Sequence, residues 1–340
     1  MQSVAVIDLA MLKSNAMAIK SAMPPFVKFI AVVKANAYGH GAPEVANALY
    51  TVADSFAVAL LKEAIELRHA GIDKDILILI PASESIIDKG LKYEVTFTVE
   101  NLDIAKAIDK KAKEFGVLAK VELAVNTGMN RFGFSPKELK SVLPEIKRLK
   151  NLSVSGVFSH LYQPESPLAR IKQVRIFKDA ERLVKEYFPF AIAHISASGG
   201  FLKGEFFDAV RIGLMAYGYY PFKCRIYRAQ VSPVMKVYAP VVKNFTLDKG
   251  ENLLYGDFKT EDKVDVSIIR YGYADGLPRK SINGQLNNRC MDVSAVKSCT
   301  KNEKFSILLQ NADDFAKKYD TISYEVLTSV ANRSKRIYLR

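Results

Sequence analysis

The sequence predicts a (β/α)8 TIM barrel over residues 1–225, followed by a β-rich domain over residues 226–340. In the first two-thirds, short and almost wholly apolar segments alternate with amphipathic helical patterns, which is typical of parallel strands covered by helices on both faces. Eight strands of this kind are predicted, at 28–33, 55–60, 75–80, 95–99, 119–125, 153–158, 191–197 and 208–212. An open doubly wound sheet is disfavoured, because no G-x-G-x-x-G follows the first strand.

The helices between these strands carry recognisable end signals. LKEAIELRHAG (61–71) ends on a glycine, and SPKELKSVLPEIKRLK (135–150) begins with Ser135 as an N-cap and Pro136 in the first turn. After about residue 225 the segments become short and β-branched, with turns of Gly, Asn, Asp or Lys between them. VDVSIIRYG, RCMDVSAV and YEVLTSV are predicted as strands there, with one helix near 309–318.

Composition places the chain among globular proteins. It has 340 residues, of which 49% are hydrophobic and 25% charged, enough to bury a large core. Three cysteines (Cys224, Cys290 and Cys299) form no bridging framework and no C-x-x-C metal pattern. The N-terminus lacks the features of a signal peptide, and no apolar run approaches 18 residues. We therefore expect a cytoplasmic protein without a membrane span or a metal centre.

The net charge of +13 raises the question of nucleic acid. The excess of Lys and Arg is dispersed along helices such as 106–116 and 140–150, where lysines alternate with acidic and apolar residues. That pattern is typical of a solvated helix face, so no nucleic-acid partner is expected. A basic surface also attracts an anionic substrate or cofactor, and composition does not decide why the chain is so basic.

Unusual polar residues stand at or just beyond the ends of five of the predicted strands: Lys34, Arg131, His160, Ser198 and Arg211. The carboxyl ends of barrel strands meet at one mouth, where the active sites of such barrels lie. There a lysine can form a Schiff base, while arginines, a serine hydroxyl and glycine backbone can hold an anion.

The lysine stands in a motif that resembles a known family. AVVKANAYGHG (31–41) is similar to the pyridoxal-phosphate lysine motif of the alanine racemases, enzymes that join a barrel to a β domain. NTGMNRFG, FSH, HISAS, VRIGLMAYG, LLYGD, GYADGLPR, RCMD and YEV follow in the family's order and spacing, so the resemblance spans essentially the whole chain.

The resemblance implies a cofactor, pyridoxal 5'-phosphate, and roles for the barrel residues. Lys34 would bind the cofactor aldehyde and then carry a proton on one face of the substrate Cα. Arg211 would face the pyridine nitrogen, and because a guanidinium does not readily release its proton, that nitrogen would stay unprotonated. Residues implied to hold the cofactor phosphate are Tyr38, Ser198, Gly213, Leu214 and Tyr324.

The resemblance also implies a homodimer with shared active sites. Tyr255 would be the acid/base on the opposite face, contributed by the partner's β domain. Free tyrosine, with a pKa of about 10, is a poor base. Hydrogen bonds from Tyr255 through His160 to Arg211 would therefore stabilise its phenolate. Arg131 and the Met291 backbone would contact the substrate carboxylate. Tyr273, together with Tyr324, would restrict the side chain accepted.

Four positions depart from the family pattern. Ala124 stands where many members carry a carbamylated lysine that supports the active-site arginine. Asn126 and Asn130 replace the aspartate and second glycine of D-T-G-M-G-R, and Ala197 replaces an asparagine. An anion such as chloride, or Asn126 itself, is the expected support for Arg131.

The expected reaction is the interconversion of L- and D-alanine by two bases, supplying D-alanine for bacterial peptidoglycan. Two alternatives stay open on sequence: a serine or broad-specificity racemase for small amino acids on the same scaffold, and a non-catalytic pyridoxal-phosphate-binding protein. The second is disfavoured by the β domain, since such carriers are single barrels.

Overall fold

The computed structural model describes residues 1–255, 259–279, 289–297 and 304–340. Cys299, and Gly256 and Asp257 of the LLYGD motif, lie outside the described residues. Two sheets organise the chain: a near-closed parallel barrel and a mainly antiparallel sheet of the second domain. The predicted fold class is confirmed.

The barrel has eight parallel strands, with neighbours in the order β8-β7-β6-β5-β4-β3-β2-β9. Two backbone hydrogen bonds link its ends, from the Asp208 N–H to the Ala193 carbonyl (2.9 Å) and from the Arg211 N–H to the Ser196 carbonyl (3.0 Å). The eight predicted strands are all present. Their bounds are β2 (Lys28–Val32), β3 (Ser55–Val58), β4 (Ile76–Pro81), β5 (Thr96–Val99), β6 (Ala119–Ala124), β7 (Leu152–Phe158), β8 (Ile192–His194) and β9 (Ala209–Ile212).

Helices surround the barrel, and capping residues mark where several of them begin or end. Ser135 accepts the Glu138 N–H and the Glu138 carboxylate accepts the Ser135 N–H, so the predicted N-cap is confirmed. Gly116 ends its helix in the left-handed conformation. The bounds are α1 (Leu9–Ser21), α2 (Lys34–Tyr38), α3 (Ala42–Leu49), α4 (Leu61–His69), α5 (Glu84–Lys92), α6 (Leu102–Phe115), α7 (Pro136–Ile146), α8 (Pro167–Tyr187) and α9 (Ser198–Lys203).

The second sheet has the order β12-β11-β10-β1-β14, and β13 also pairs with β10. Its strands are β1 (Val4–Asp8), β10 (Met235–Leu247), β11 (Val264–Ile269), β12 (Ser294–Lys297), β13 (Phe305–Leu309) and β14 (Lys335–Leu339). β1 pairs antiparallel with β10 and parallel with β14. Thus β1, within the 1–225 range assigned to the barrel, instead joins the second sheet.

Two helices complete the second domain, α10 (Ala312–Lys318) and α11 (Ser323–Ser329). The helix expected near 309–318 is therefore confirmed, but the prediction of a strand at YEVLTSV is wrong. Val326 and Leu327 are buried on one side of α11. That tertiary burial outweighs the β propensity of the segment. In the described part of the chain, no helix has the length and apolarity needed to cross a membrane.

Candidate active site

The five polar residues that follow the predicted strands lie at the carboxyl ends of the barrel strands. Lys34 opens α2 directly after β2, His160 follows β7, Ser198 opens α9 and Arg211 lies within β9. Arg131 lies in the loop between β6 and α7. Burial, followed by the positive charges of Arg131 and Arg211, lowers the pKa of the Lys34 amine, while the Glu63 carboxylate acts in the opposite direction. A lower pKa raises the neutral, nucleophilic fraction of a lysine.

The chain after Lys34 turns in an unusual way. Ala35, Asn36, Ala37 and Tyr38 all have φ between 52° and 53°, which is left-handed helical backbone. The turn is internally bonded, since the Gly39 N–H donates to the Ala35 carbonyl (3.0 Å). Side chains of such a turn point differently from those of a right-handed helix, and Tyr38 is directed towards the turn that follows β9.

The residues expected to bind phosphate converge there. A methyl group placed on Gly213 would lie 2.6 Å from the Tyr38 hydroxyl, so that hydroxyl is directly against the glycine backbone. The Ser198 hydroxyl accepts the Met215 N–H (3.4 Å), and the Tyr324 ring centroid lies 6.0 Å from that of Tyr38. Burial, and then the neighbouring Tyr324, raise the pKa of Tyr38, so its hydroxyl stays protonated and can donate to an anion. Leu214 is buried beside Gly213.

Arg211 is buried and fully engaged at both terminal nitrogens. Nη1 donates to His194 Nδ1 (2.6 Å) and to the His194 carbonyl (3.0 Å), while Nη2 donates to the Ser159 carbonyl (2.6 Å). Because a guanidinium only donates, Nδ1 must accept, and the proton of neutral His194 is then on Nε2. Nε2 in turn donates to Glu122 Oε2 (2.8 Å). Burial lowers the pKa of Arg211 to about 10 and Glu122 opposes that shift, so the guanidinium is charged at neutral pH.

His160 is not the hydrogen-bond partner of Arg211 in the described chain, which corrects the sequence expectation. The terminal nitrogens of Arg211 are directed to the carbonyls and the imidazole at the ends of β7 and β8 instead. Burial, and then the positive charges of Arg211, Arg131 and Lys34, lower the pKa of His160 to about 3. His160 is therefore a neutral ring at this mouth.

Arg131 has no hydrogen-bond or ion-pair partner among the residues described, and its guanidinium lies over the Phe132 ring, 4.6 Å from the centroid. Asn126 does not support it: Asn126 Oδ1 accepts the N–H groups of Gly128 (2.9 Å) and Asn130 (3.1 Å), so it shapes the loop. A cavity of about 20 Å³ beside Ala124 is lined by Arg131 and Asn126 among others. That is about the volume one water molecule requires.

Three predicted residues of the second domain are on its surface. Tyr255 is 72% exposed, Tyr273 39% and Met291 54%. The Ala274 N–H donates to the Met291 carbonyl (3.0 Å), which joins the GYADG and CMD segments. Within one chain these side chains are therefore available to a neighbour.

An ion-pair cluster fixes the same two segments. The Arg333 guanidinium contacts Asp292 (2.9 Å) and Asp275 (3.5 Å). Cys290 is half-buried and unbridged. Asp292 thus ties the segment that bears Met291 to Arg333.

Comparison with known proteins identifies the family and the fold. Residues 7–221 match the family described as Alanine racemase, N-terminal domain, and residues 234–338 match Alanine racemase, C-terminal domain. The chain belongs to the alanine racemase family. The alanine racemase of Clostridium novyi is 34% identical to it, over 99% of this chain and 95% of that protein.

Solved structures agree with this alanine racemase assignment. The alanine racemase of Clostridium difficile 630 superposes with a TM-score of 0.93 at 30% identity, over 100% of this chain and 96% of that one. The structure from Bartonella henselae, described with covalently bound pyridoxal phosphate, has a TM-score of 0.86 at 26% identity and full coverage of both chains. These relatives support alanine racemase activity, and the protein is a pyridoxal-phosphate-dependent amino acid racemase.

Three charged or ionisable residues of this racemase site escaped the sequence reasoning: Glu63, Glu122 and His194. Glu122 offered a signal, since it is the acidic residue within the apolar strand AKVELAV. His194 stands in the HISAS motif, where only Ser198 received a role. Glu63 looks like any acidic residue in the first turn of a helix and offered no local signal.

Proposed function

We propose that this chain interconverts L- and D-alanine by a two-base mechanism, with pyridoxal phosphate bound through Lys34 and D-alanine supplied to peptidoglycan synthesis in the cytoplasm. The observation that carries the proposal is a lysine of lowered pKa at the barrel mouth, beside a pocket of hydroxyls and close backbone formed by Tyr38, Ser198 and Gly213. An amine nucleophile beside an anion pocket suits an aldehyde that carries a phosphate.

The residues at the mouth fit this cofactor on several counts. The Tyr38 and Ser198 hydroxyls and the turn at Gly213 offer donors to a phosphate, and the absence of a Cβ at Gly213 lets the Tyr38 hydroxyl lie against the backbone of that turn. Arg211 presents a buried cation that does not give up its proton. The resemblance implies this property for the residue that faces the pyridine nitrogen. When bound, pyridoxal phosphate supplies an aldehyde for the amino group and a conjugated ring that withdraws electrons from the Cα–H bond.

Lys34 then serves as the base for D-alanine. Burial, Arg131 and Arg211 lower the pKa of its amine, against the opposing charge of Glu63, and so favour the neutral form that a base requires. The guanidinium of Arg131, free of partners among the described residues, is available to the substrate carboxylate, for which a planar bidentate donor is well suited.

The second base is Tyr255 of the partner subunit. The tyrosine is 72% exposed and makes no hydrogen bond to any described residue of its own chain, although it belongs to a motif shared with the family. A tyrosine in such an exposed position is free to enter the active site of another chain when a second surface covers it. We therefore infer a homodimer in which each second domain completes the barrel site of the other chain.

The first test is formation of the D-enantiomer from L-alanine, and from L-serine in parallel, by protein loaded with pyridoxal phosphate. Alanine turnover well above serine turnover is the expected result. Faster serine turnover would instead assign the broad-specificity or serine racemase. Absence of both would overturn the proposed reaction and leave a binding protein.

Two variants then test the assigned bases. Tyr255→Phe should abolish α-proton exchange from L-alanine while cofactor binding persists; Tyr238→Phe, another tyrosine of the second domain, is the matched control and should keep wild-type exchange. Lys34→Ala should lose the cofactor that borohydride fixes to the protein. Wild-type exchange by Tyr255→Phe would contradict the two-base assignment.

A further inference from the structure

The left-handed turn after Lys34 needs external support. Four consecutive L-residues with positive φ are sterically unfavourable, because each Cβ approaches the following carbonyl oxygen. Such a turn persists only where its surroundings fix it. The direction of Lys34 depends on this turn, because Lys34 is the residue from which it starts.

One buried carboxylate bonds to the beginning of the turn. Glu63 Oε1 accepts the Ala35 N–H (2.7 Å), the group directly after Lys34. Glu63 Oε2 accepts the N–H groups of Ala59 (2.8 Å) and Leu60 (3.0 Å), at the beginning of α4. The side chain of Glu63 is 9% exposed, so water competes little for these bonds. One carboxylate oxygen thus bonds to the turn, and the other bonds to the N-terminus of α4.

The other end of the turn is fixed separately. His40 Nδ1 donates to the carbonyls of Ala37 (3.0 Å) and Tyr38 (2.9 Å), and the Arg336 side chain donates to the Gly39 carbonyl (2.9 Å). Loss of the Glu63 bond therefore frees the Lys34 end while the Tyr38 end stays bound. This separation makes the role of Glu63 experimentally distinct from phosphate binding.

We propose that Glu63 is a positioning residue of the racemase, which bonds the backbone after Lys34 to the N-terminus of α4 and so directs the Lys34 amino group to its reacting partner. This inference rests on the proposed function of Lys34. The negative charge of Glu63 also acts on the amine: it is the charge that opposes Arg131 and Arg211 and limits how far the Lys34 pKa falls.

Glu63→Gln is the principal variant, because it preserves size while removing one acceptor and the charge. An amide has one oxygen, so it can accept either from Ala35 or from the α4 terminus, and its NH2 then faces an N–H group. Glu138→Gln is the matched control: Glu138 also accepts an N–H at the start of its helix, from Ser135 (2.8 Å), but on the surface and away from Lys34.

The first measurement uses cofactor-free protein, so it does not depend on activity. The pH dependence of Lys34 acetylation by acetic anhydride, read by mass spectrometry, gives the apparent pKa of the amine. Glu63→Gln should lower that pKa by about one unit, the lower end of the range for losing an opposite charge nearby. Glu138→Gln should leave it unchanged. An unchanged value in correctly folded Glu63→Gln would overturn the electrostatic part of the inference.

The second measurement uses the loaded enzyme and separates the two bases. Because Lys34 serves D-alanine and Tyr255 of the partner subunit serves L-alanine, Glu63→Gln should raise the primary isotope effect with [2-²H]-D-alanine and not with [2-²H]-L-alanine. Equal changes for both enantiomers would indicate a general structural defect and refute the positioning role. If the wild type does not racemise alanine, the proposed function fails, while the acetylation result still reports on Glu63.

Glu63→Asp tests geometry apart from charge, and it also serves if the glutamine variant does not fold. The shorter carboxylate keeps its charge and, because it is attached to α4, should keep bonds to the N–H groups of Ala59 and Leu60 while it no longer reaches the Ala35 N–H. It should retain a near wild-type Lys34 pKa and still raise the D-alanine isotope effect. A wild-type isotope effect in this variant would show that the bond to Ala35 is not needed.

Discussion

Acid should destabilise this protein through His40, and the effect can be isolated with one substitution. His40 has no exposed surface, its Nδ1 donates to two carbonyls, and its Nε2 finds no hydrogen-bond partner among the described residues. Burial lowers the pKa of His40 to about 4, with a further contribution from Arg336, against hydrogen bonds to the Tyr38 and Ala37 carbonyls that act in the other direction. The folded protein therefore keeps this ring neutral under mildly acidic conditions.

The magnitude follows from linkage between protonation and folding. In the unfolded chain the ring binds a proton with a pKa of about 6.5, whereas the folded chain does so only near pH 4, so acid favours the unfolded state between those values. From pH 8 to pH 5 the free energy of unfolding should fall by about 2 kcal/mol through His40 alone. Below pH 4 this contribution levels off at about 3 kcal/mol.

Urea unfolding of cofactor-free protein at a series of pH values measures the slope of the free energy of unfolding against pH. His40→Asn retains an N–H donor but does not titrate in this range. The variant also loses the stacking of His40 on Tyr217, which lowers stability at every pH, so only the slopes are compared. Between pH 8 and pH 5 the free energy of unfolding of the variant should fall by about 2 kcal/mol less than that of wild type. His69→Asn, a change at an exposed histidine, should keep the wild-type slope. If His40→Asn and wild type have the same slope, the reasoning about the buried ring is refuted.

Three further predictions concern the site and the assembly. Gly213→Ala places a methyl group 2.6 Å from the Tyr38 hydroxyl, so the dissociation constant of pyridoxal phosphate, measured by equilibrium titration, should rise about tenfold, as expected for ~1.4 kcal/mol of overpacking. Glu122→Gln removes the carboxylate behind Arg211 and should lower the free energy of unfolding by about 3 kcal/mol, whereas Glu114→Gln, at a surface ion pair, should leave it close to the wild-type value in the same urea assay. If each site takes Tyr255 from a second chain, as proposed, specific activity should fall on dilution in step with dimer dissociation measured by ultracentrifugation. Constant activity of a monomer would contradict the shared site.

Much of the barrel could be predicted because its signals are local. Strands that are buried on both faces consist of nearly continuous apolar residues. Segments such as 95–99 and 208–212 were therefore identifiable without knowledge of their neighbours. The family motifs likewise placed Lys34 and Arg211 at strand ends before any geometry was known.

The rest depended on contacts between distant parts of the chain. The pairing of β1 with β14 joins Val4 to Lys335, and no local pattern in either segment specifies it. The helix at Ser323–Ser329 follows from the burial of Val326 and Leu327, which overrides the preference of β-branched residues for strands. The choice of His194 over His160 as the partner of Arg211 depends on side-chain directions at the ends of two strands, which spacing does not encode.

The position of β1 has a consequence for how the chain folds during synthesis. β1 precedes all the barrel strands in the sequence, yet its two partners, β10 and β14, both follow the barrel. The barrel strands β2 to β9 lie between them, so they can pair with one another while β1 still has both edges open. The second sheet therefore cannot be complete until β14 has been synthesised, whereas the barrel strands can already pair with one another.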